Sequence, residues 1–451
     1  MCKKLASMAV VILAALQGMA FDASAQYKLT PDSVLCYGSD GLVKRRALYK
    51  YDTEGREIEI SNYTIDRRSG SWCGTNREQV TYDAYGDVSS RSTFRWNQTQ
   101  RSWTNARIET FAYNDNGQQT SAESMKWNAQ FGHWVGESKT ENEYAPTGLM
   151  TKYITFAWDD NRSQWKTLWA LEITYDDNLG LKTSETRKVF RSGNWVNEHR
   201  TTFAYNVEGL LTESVSADWR KGEWVENDSV RVSRTPMESN GVRIVTLSTY
   251  LDKKLGVWKP NERKTEESDE MGNVTLSRTE TWNGTEWKLV SQTKDDIEYD
   301  SVKRIVKRTS FVWTEGQWIG KEMVERNYNE FNDLTLSKHY VWNAVINNWH
   351  GEQYNVMGYN EAGDMTLDEH FLWNEKENKW ENQHKTFYVF DANHNKTEER
   401  SEAWNKRKGV WEEFFKARYE YEMNAEGYIT TTAEFHEENG EWRLFQKMEY
   451  L

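Results

Sequence analysis

The chain has 451 residues, with 70 acidic against 57 basic side chains and a formal net charge of −13. An acidic surface repels nucleic acid and anionic lipid, so neither is expected as a partner. Mean hydropathy is −0.90, yet 23 Trp, 23 Tyr and 16 Phe exclude an ordinary disordered chain, which is poor in aromatics.

Residues 1–25 read as a secretory signal. Lys3 and Lys4 form a positive start, Leu5 to Ala20 is mostly apolar, and Ala23-Ser24-Ala25 is a small-x-small cleavage site. That run is short for a transmembrane helix, and no later stretch resembles one. The expected location is outside the cytoplasm: secreted, at the cell surface or in the periplasm. Residues 26–42 follow as an N-terminal capping strand, with Cys36 before a turn at Tyr37–Gly41. Cys73 falls on the fourth predicted strand. Three strand spacings are about 14 Å, beyond the ~7 Å Cα limit, so no Cys36–Cys73 disulfide is expected.

From 43 to 451 one pattern repeats. Tyr-(Asp/Asn)-x-x-Gly starts at Tyr51, Tyr82, Tyr113, Tyr205 and Tyr359, with degenerate copies at Tyr144, Tyr175, Met237, Ser268, Tyr299, Tyr328, Phe390 and Met423. The spacing holds at 29–33 residues. Two Trp series keep step, with Tyr63, Phe190, Tyr250 and Phe435 standing in for the first Trp at shifted offsets. Trp169 alone lies outside both series. Each unit reads as a turn, a strand such as Val274–Trp282 or Met365–Trp373, a polar loop, and a second strand opened by the second Trp. Alternation puts Trp373, Phe371, Glu369, Leu367 and Met365 on one face, with Leu372, His370, Asp368 and Thr366 on the other. The two Trp of a unit flank one loop and can pair across the hairpin.

About 13 such units give about 26 antiparallel strands, too many for a flat open sheet. Strand twist of about 20–25° accumulates past a full turn. The expected fold is all-β: an antiparallel meander of two-stranded 31-residue repeats coiled into a spiral or superhelical sheet. A β-propeller is the alternative. An open meander leaves two edges, Arg443 and Lys447 lying near the last one, so end-to-end self-association through edge strands is a further expectation.

The Tyr-Asp-x-x-Gly signature at Tyr51–Gly55 and Tyr82–Gly86 resembles the YD repeats of RHS-type secreted bacterial proteins. The 31-residue form, with paired Trp and the Trp-Asn steps Trp96-Asn97, Trp127-Asn128 and Trp373-Asn374, looks more like exported Trp/Tyr-rich repeat proteins of Bacteroidetes. This resemblance implies a coiled β-sheet, a surface or secreted setting, and in some members carbohydrate binding.

No G-x-S-x-G, P-loop, H-E-x-x-H or C-x-x-C is present. His339 and His370 share an offset from their anchors and could approach on the polar face, but read as two solvated strand residues rather than a metal pair. Asp391–Asn395 mimics part of a calcium loop, yet its flanks read as strands and its side chains as an ordinary turn. No catalytic residue, metal or cofactor is assigned. The candidate binding platform is aromatic: Trp96, Trp103, Trp127, Trp134, Trp342, Trp349, Trp373, Trp380, Trp404 and Trp411. The expected function is a non-catalytic exported scaffold for binding or adhesion at the bacterial envelope, with a glycan or surface protein as ligand. Alternatives are a glycan-active enzyme on a repeat fold and a purely structural envelope protein.

Overall fold

The structure, a computed structural model, describes residues 30–451; the signal-like segment 1–25 lies outside them. Twenty-eight antiparallel strands, β1 to β28 in chain order, form one sheet in which each strand pairs with its sequence neighbours. The 31-residue unit appears as expected. In β5 (Val88–Asn97) and β6 (Ser102–Tyr113), for example, Trp96 faces Trp103 beside the loop.

The Tyr-Asp-x-x-Gly segments form the other set of turns. At the first, Gly55 N–H donates to the Asp52 carbonyl at 3.1 Å, and Asp52 Oδ1 accepts the N–H groups of Glu54 and Arg56, both at 2.9 Å. Gly55 has φ 79°, a region that costs glycine little. Asn329, Asn360 and Asp391 cap their own turns in the same way. The Asp391 carboxylate is thus committed to its turn, accepting from Asn395 Nδ2 as well.

The expected spiral is not what forms. β1 (Ser33–Tyr37) pairs with β28 (Glu441–Tyr450) in the register Val34↔Tyr450 to Tyr37↔Lys447, and the sheet closes into a β-barrel. Nor do the strands group into propeller blades, since neighbours pair continuously around the ring. The edges that would have supported end-to-end association pair with each other.

Closure has a local cause. Within each repeat hairpin the second strand carries an extra residue. Thr93 faces Arg107 but Phe94 faces Asn105, leaving Ala106 unpaired; Glu137 and Lys321 are left over in the same way. A second irregularity recurs where units meet, as at Ala112/Tyr113. The junction of β14 (Glu223–Pro236) with β15 (Val242–Asp252) departs from this rule and runs in unbroken register. Bulges bend the strand and increase its twist, so a bulge at a fixed offset in each hairpin supplies steady curvature. A round barrel of this strand number with strands tilted about 40° would be about 55 Å across.

The bulge also flips side-chain parity. The Trp pair lies on one face near one rim, whereas the anchor Tyr, past the bulge, lies on the opposite face near the other rim. Buried apolar residues are few and mostly small: Cys36, Cys73, Ala170, Ile173, Ala217, Ala417 and Ile429. Among the described residues no large side chain is fully buried. Stability is therefore distributed over neighbouring units, as in other repeat architectures. Cys36 and Cys73 are both free thiols.

Candidate functional site

All ten candidate tryptophans are half-buried, and the structure joins them as five cross-strand pairs: Trp96–Trp103, Trp127–Trp134, Trp342–Trp349, Trp373–Trp380 and Trp404–Trp411. Ring centroids stand 5.1–5.2 Å apart and the rings meet edge to face at 65–80°. That geometry suits the ring quadrupoles and contributes roughly 0.5–1.5 kcal/mol per pair beyond area burial.

Four of these pairs also lean on the unit before them. Gly351 lies so close under the next pair that a Cβ there would stand 2.5 Å from both Trp373 Cε3 and Trp380 Cζ2. Gly74 stands likewise under Trp96 and Trp103, Gly136 under Trp158 and Trp165, and Gly320 under Trp342 and Trp349. The recurring Trp-x-Gly of Trp72-Cys73-Gly74, Trp134-Val135-Gly136, Trp318-Ile319-Gly320 and Trp349-His350-Gly351 is the sequence signal of this packing.

Cations or tyrosines of the preceding unit also cover second-series tryptophans. Arg46 lies over Trp72 at 4.6 Å, Arg200 over Trp224 at 4.6 Å, Arg263 over Trp287 at 4.7 Å and Lys385 over Trp411 at 4.4 Å. Trp103 Nε1 donates to Tyr63 Oη at 3.1 Å and Trp380 Nε1 to Tyr340 Oη at 3.2 Å. Much of the indole surface is thus engaged within the sheet.

The opposite rim has its own ladder. Tyr82, Tyr113, Tyr144, Tyr175 and Tyr359 each donate from Oη to a main-chain carbonyl 25 residues back, at 2.9–3.1 Å. Each of these bonds closes the open end of a hairpin, joining the last residue of its second strand to the first strand's start, as Tyr113 does to Val88.

Several expected placements change. Phe190 does pair with Trp195, with centroids 5.1 Å apart. The other stand-ins do not hold the first Trp position: Ile65 faces Trp72, Leu251 faces Trp258 and Glu437 faces Trp442. Tyr63, Tyr250 and Phe435 lie one or two residues earlier. Trp169 packs on Tyr153 at 5.6 Å under the Arg187 guanidinium. His370 meets His384 rather than His339: Gln353 and Asn355 of the intervening strand stand between His339 and His370. The His370 and His384 rings stack at 4.3 Å, and burial together with His370 lowers the His384 pKa. Among the described residues no group of three or more His, Cys, Asp or Glu is placed to hold a metal ion.

No protein-family model matches the chain, and no curated protein matches it. Solved structures do. A Bacteroides fragilis protein of unknown function shares 20% identity over 29% of this chain and 93% of its own, with a TM-score of 0.22. A DUF3836 family protein from Parabacteroides distasonis shares 20% over 22% of this chain and 93% of its own, at 0.17. A TcdB2-TccC3 structure shares 10% over 88% of this chain, which spans 27% of that one, at 0.16. At these scores the likeness informs neither ring closure nor function.

Proposed function

We propose that the chain is a non-catalytic scaffold for binding or adhesion at the bacterial envelope, with a glycan or a surface protein as ligand. The observation behind this reading is the uninterrupted ring of repeats, whose aromatic and polar groups are spent on one another from unit to unit. The Trp rim supplies the proposed contact surface through its half-buried indoles and loop tips. Phe131, Val345 and Ile346 on those loops are 67%, 93% and 57% exposed.

The engaged indole faces also favour the purely structural alternative. Mid-strand charge on both faces weighs against a lipid-facing barrel. Lys385 pairs with Glu402 at 3.3 Å on the Trp face, while Asp368 and His370 pair at 3.0 Å on the other. In a membrane barrel, charges such as Arg or Lys on the lipid face cost about 2–4 kcal/mol each at mid-depth. Among the described residues no helix is long and apolar enough to cross a membrane.

Glycan arrays and surface-protein pull-downs test the reading. Binding is expected, and Val345→Ser with Ile346→Ser should weaken it at least fivefold without changing thermal stability. Blank screens at high protein concentration would leave the structural alternative standing.

A further inference from the structure

The ladder between β28 and β1 is the shortest in the ring. β26 (Val410–Met423) and β27 (Ile429–Glu438) pair over seven residues, and β27 and β28 over eight. The seam between β28 and β1 pairs over four, extended by reciprocal main-chain bonds between Ser33 and Leu451 at 3.1 and 2.8 Å. β1 itself is five residues long and pairs with β2 (Val43–Tyr51) over five. Short ladders open first, because fewer bonds break together. Side chains add a small latch: Tyr37 Oη donates to Glu449 at 2.6 Å, and Lys447 pairs with the same carboxylate at 2.6 Å. No covalent link or hairpin turn joins the two strands.

We infer that the barrel opens at this seam and that the freed β28 edge accepts β1 of a second copy. The repeat itself argues for that occupant. At each junction between units a second strand receives the first strand of the next unit. β28 is the second strand of its unit, and β1 takes the first-strand place beside it. A β1 from another copy therefore rebuilds the same register, the same latch and the same bonds, as in other strand exchanges between identical chains. Contacts at the seam are equal in closed and exchanged forms. The balance is set by the bending needed to close the ring against the entropy of joining two molecules, so exchange grows with concentration. An unrelated strand would match the main-chain ladder but not Tyr37 opposite Lys447.

The chain carries its own probes. Cys36 and Cys73 are each 8% exposed. Cys36 lies on β1 opposite Met448 across the four-residue seam, whereas Cys73 lies on β4 (Trp72–Tyr82) opposite Thr64 in the seven-residue ladder with β3 (Glu57–Ile65). Pulse labelling of the unmodified protein with a small maleimide should modify Cys36 at least about tenfold faster than Cys73. A second measurement reads the exchange. Cys36→Ser/Met448→Cys protein is refolded at high concentration with the wild type. Added oxidised glutathione then accepts the two electrons as exchange brings wild-type Cys36 and the thiol introduced at 448 together into a disulfide. That covalent dimer should rise with concentration. Equal labelling of the two native thiols would overturn the opening. Faster Cys36 labelling with no intermolecular disulfide at any concentration would overturn the exchange.

Discussion

Gly351 has room for hydrogen and nothing larger, because the Trp373–Trp380 pair rests on it. Gly351→Ala should lower stability by about 1–2 kcal/mol, read from the denaturation midpoint. The upper end is bounded because the equivalent position holds Asn105 or Asn382 in other units. Glu59 makes a second residue-level case. Burial alone would raise its pKa, but Gln79, Arg77 and Lys50 hold the carboxylate down to about 2. A carboxylate depressed on folding contributes stability above its unfolded pKa and loses it as pH falls through the folded one. Glu59→Gln should therefore cost about 1–3 kcal/mol at pH 7. Most of that difference should vanish between about pH 4.5 and pH 2, as urea titrations at several pH values would show. At this scale the sequence was readable where a residue's role follows from its type. Asp and Asn in the turns cap the main chain as expected, and the paired Trp meet across the loop. The Gly beneath four of the pairs was harder to recognise, because its meaning depends on the next unit rather than its own neighbours.

Strands and turns were legible because alternation and turn residues repeat at one period. The bulges were not. Residues at that position include Ala106, Glu137, Leu168, Lys321 and Phe414, with no shared size or charge. A bulge is set by main-chain pairing on both flanks, so side-chain type carries little of the signal. That gap also hid the placement of the anchor Tyr on the face opposite the Trp. Lys321 tests the role of the extra residue, since Ser310 faces Glu322 while Phe311 faces Gly320 in β19 (Ile305–Thr314) and β20 (Gln317–Tyr328). Lys321→Ala should stay within about 0.5 kcal/mol of the parent. Deleting Lys321 should force one half of β20 onto the wrong face, with loss of near-ultraviolet Trp circular dichroism and of cooperative unfolding. A deletion mutant with intact dichroism would remove the bulge from the account.

Over the whole molecule, twist alone suggests a spiral, and the accumulated bulges instead bring the last strand back to the first. The absence of a thick core follows from the same plan: each hairpin stabilises and is stabilised by its neighbours, with the Trp contacts carrying that coupling along one rim and the Tyr bonds closing individual hairpins at the other. Such a ring presents many equivalent surfaces, which is why the proposed ligand surface rests on rim and loop residues. Ring closure is the claim on which the rest depends, and distances between turns on one rim test it. Thr53, Val207 and Glu426 are exposed and lie in the β2–β3, β12–β13 and β26–β27 turns, β3, β12 and β13 being Glu57–Ile65, Asn194–Tyr205 and Leu211–Arg220. Spin labels on Thr53→Cys and Val207→Cys, in a background lacking the native thiols, should stand about 50 Å apart. Labels on Thr53→Cys and Glu426→Cys should stand about 20–25 Å apart. A Thr53–Glu426 distance longer than the Thr53–Val207 distance would mean an open sheet and would contradict the barrel.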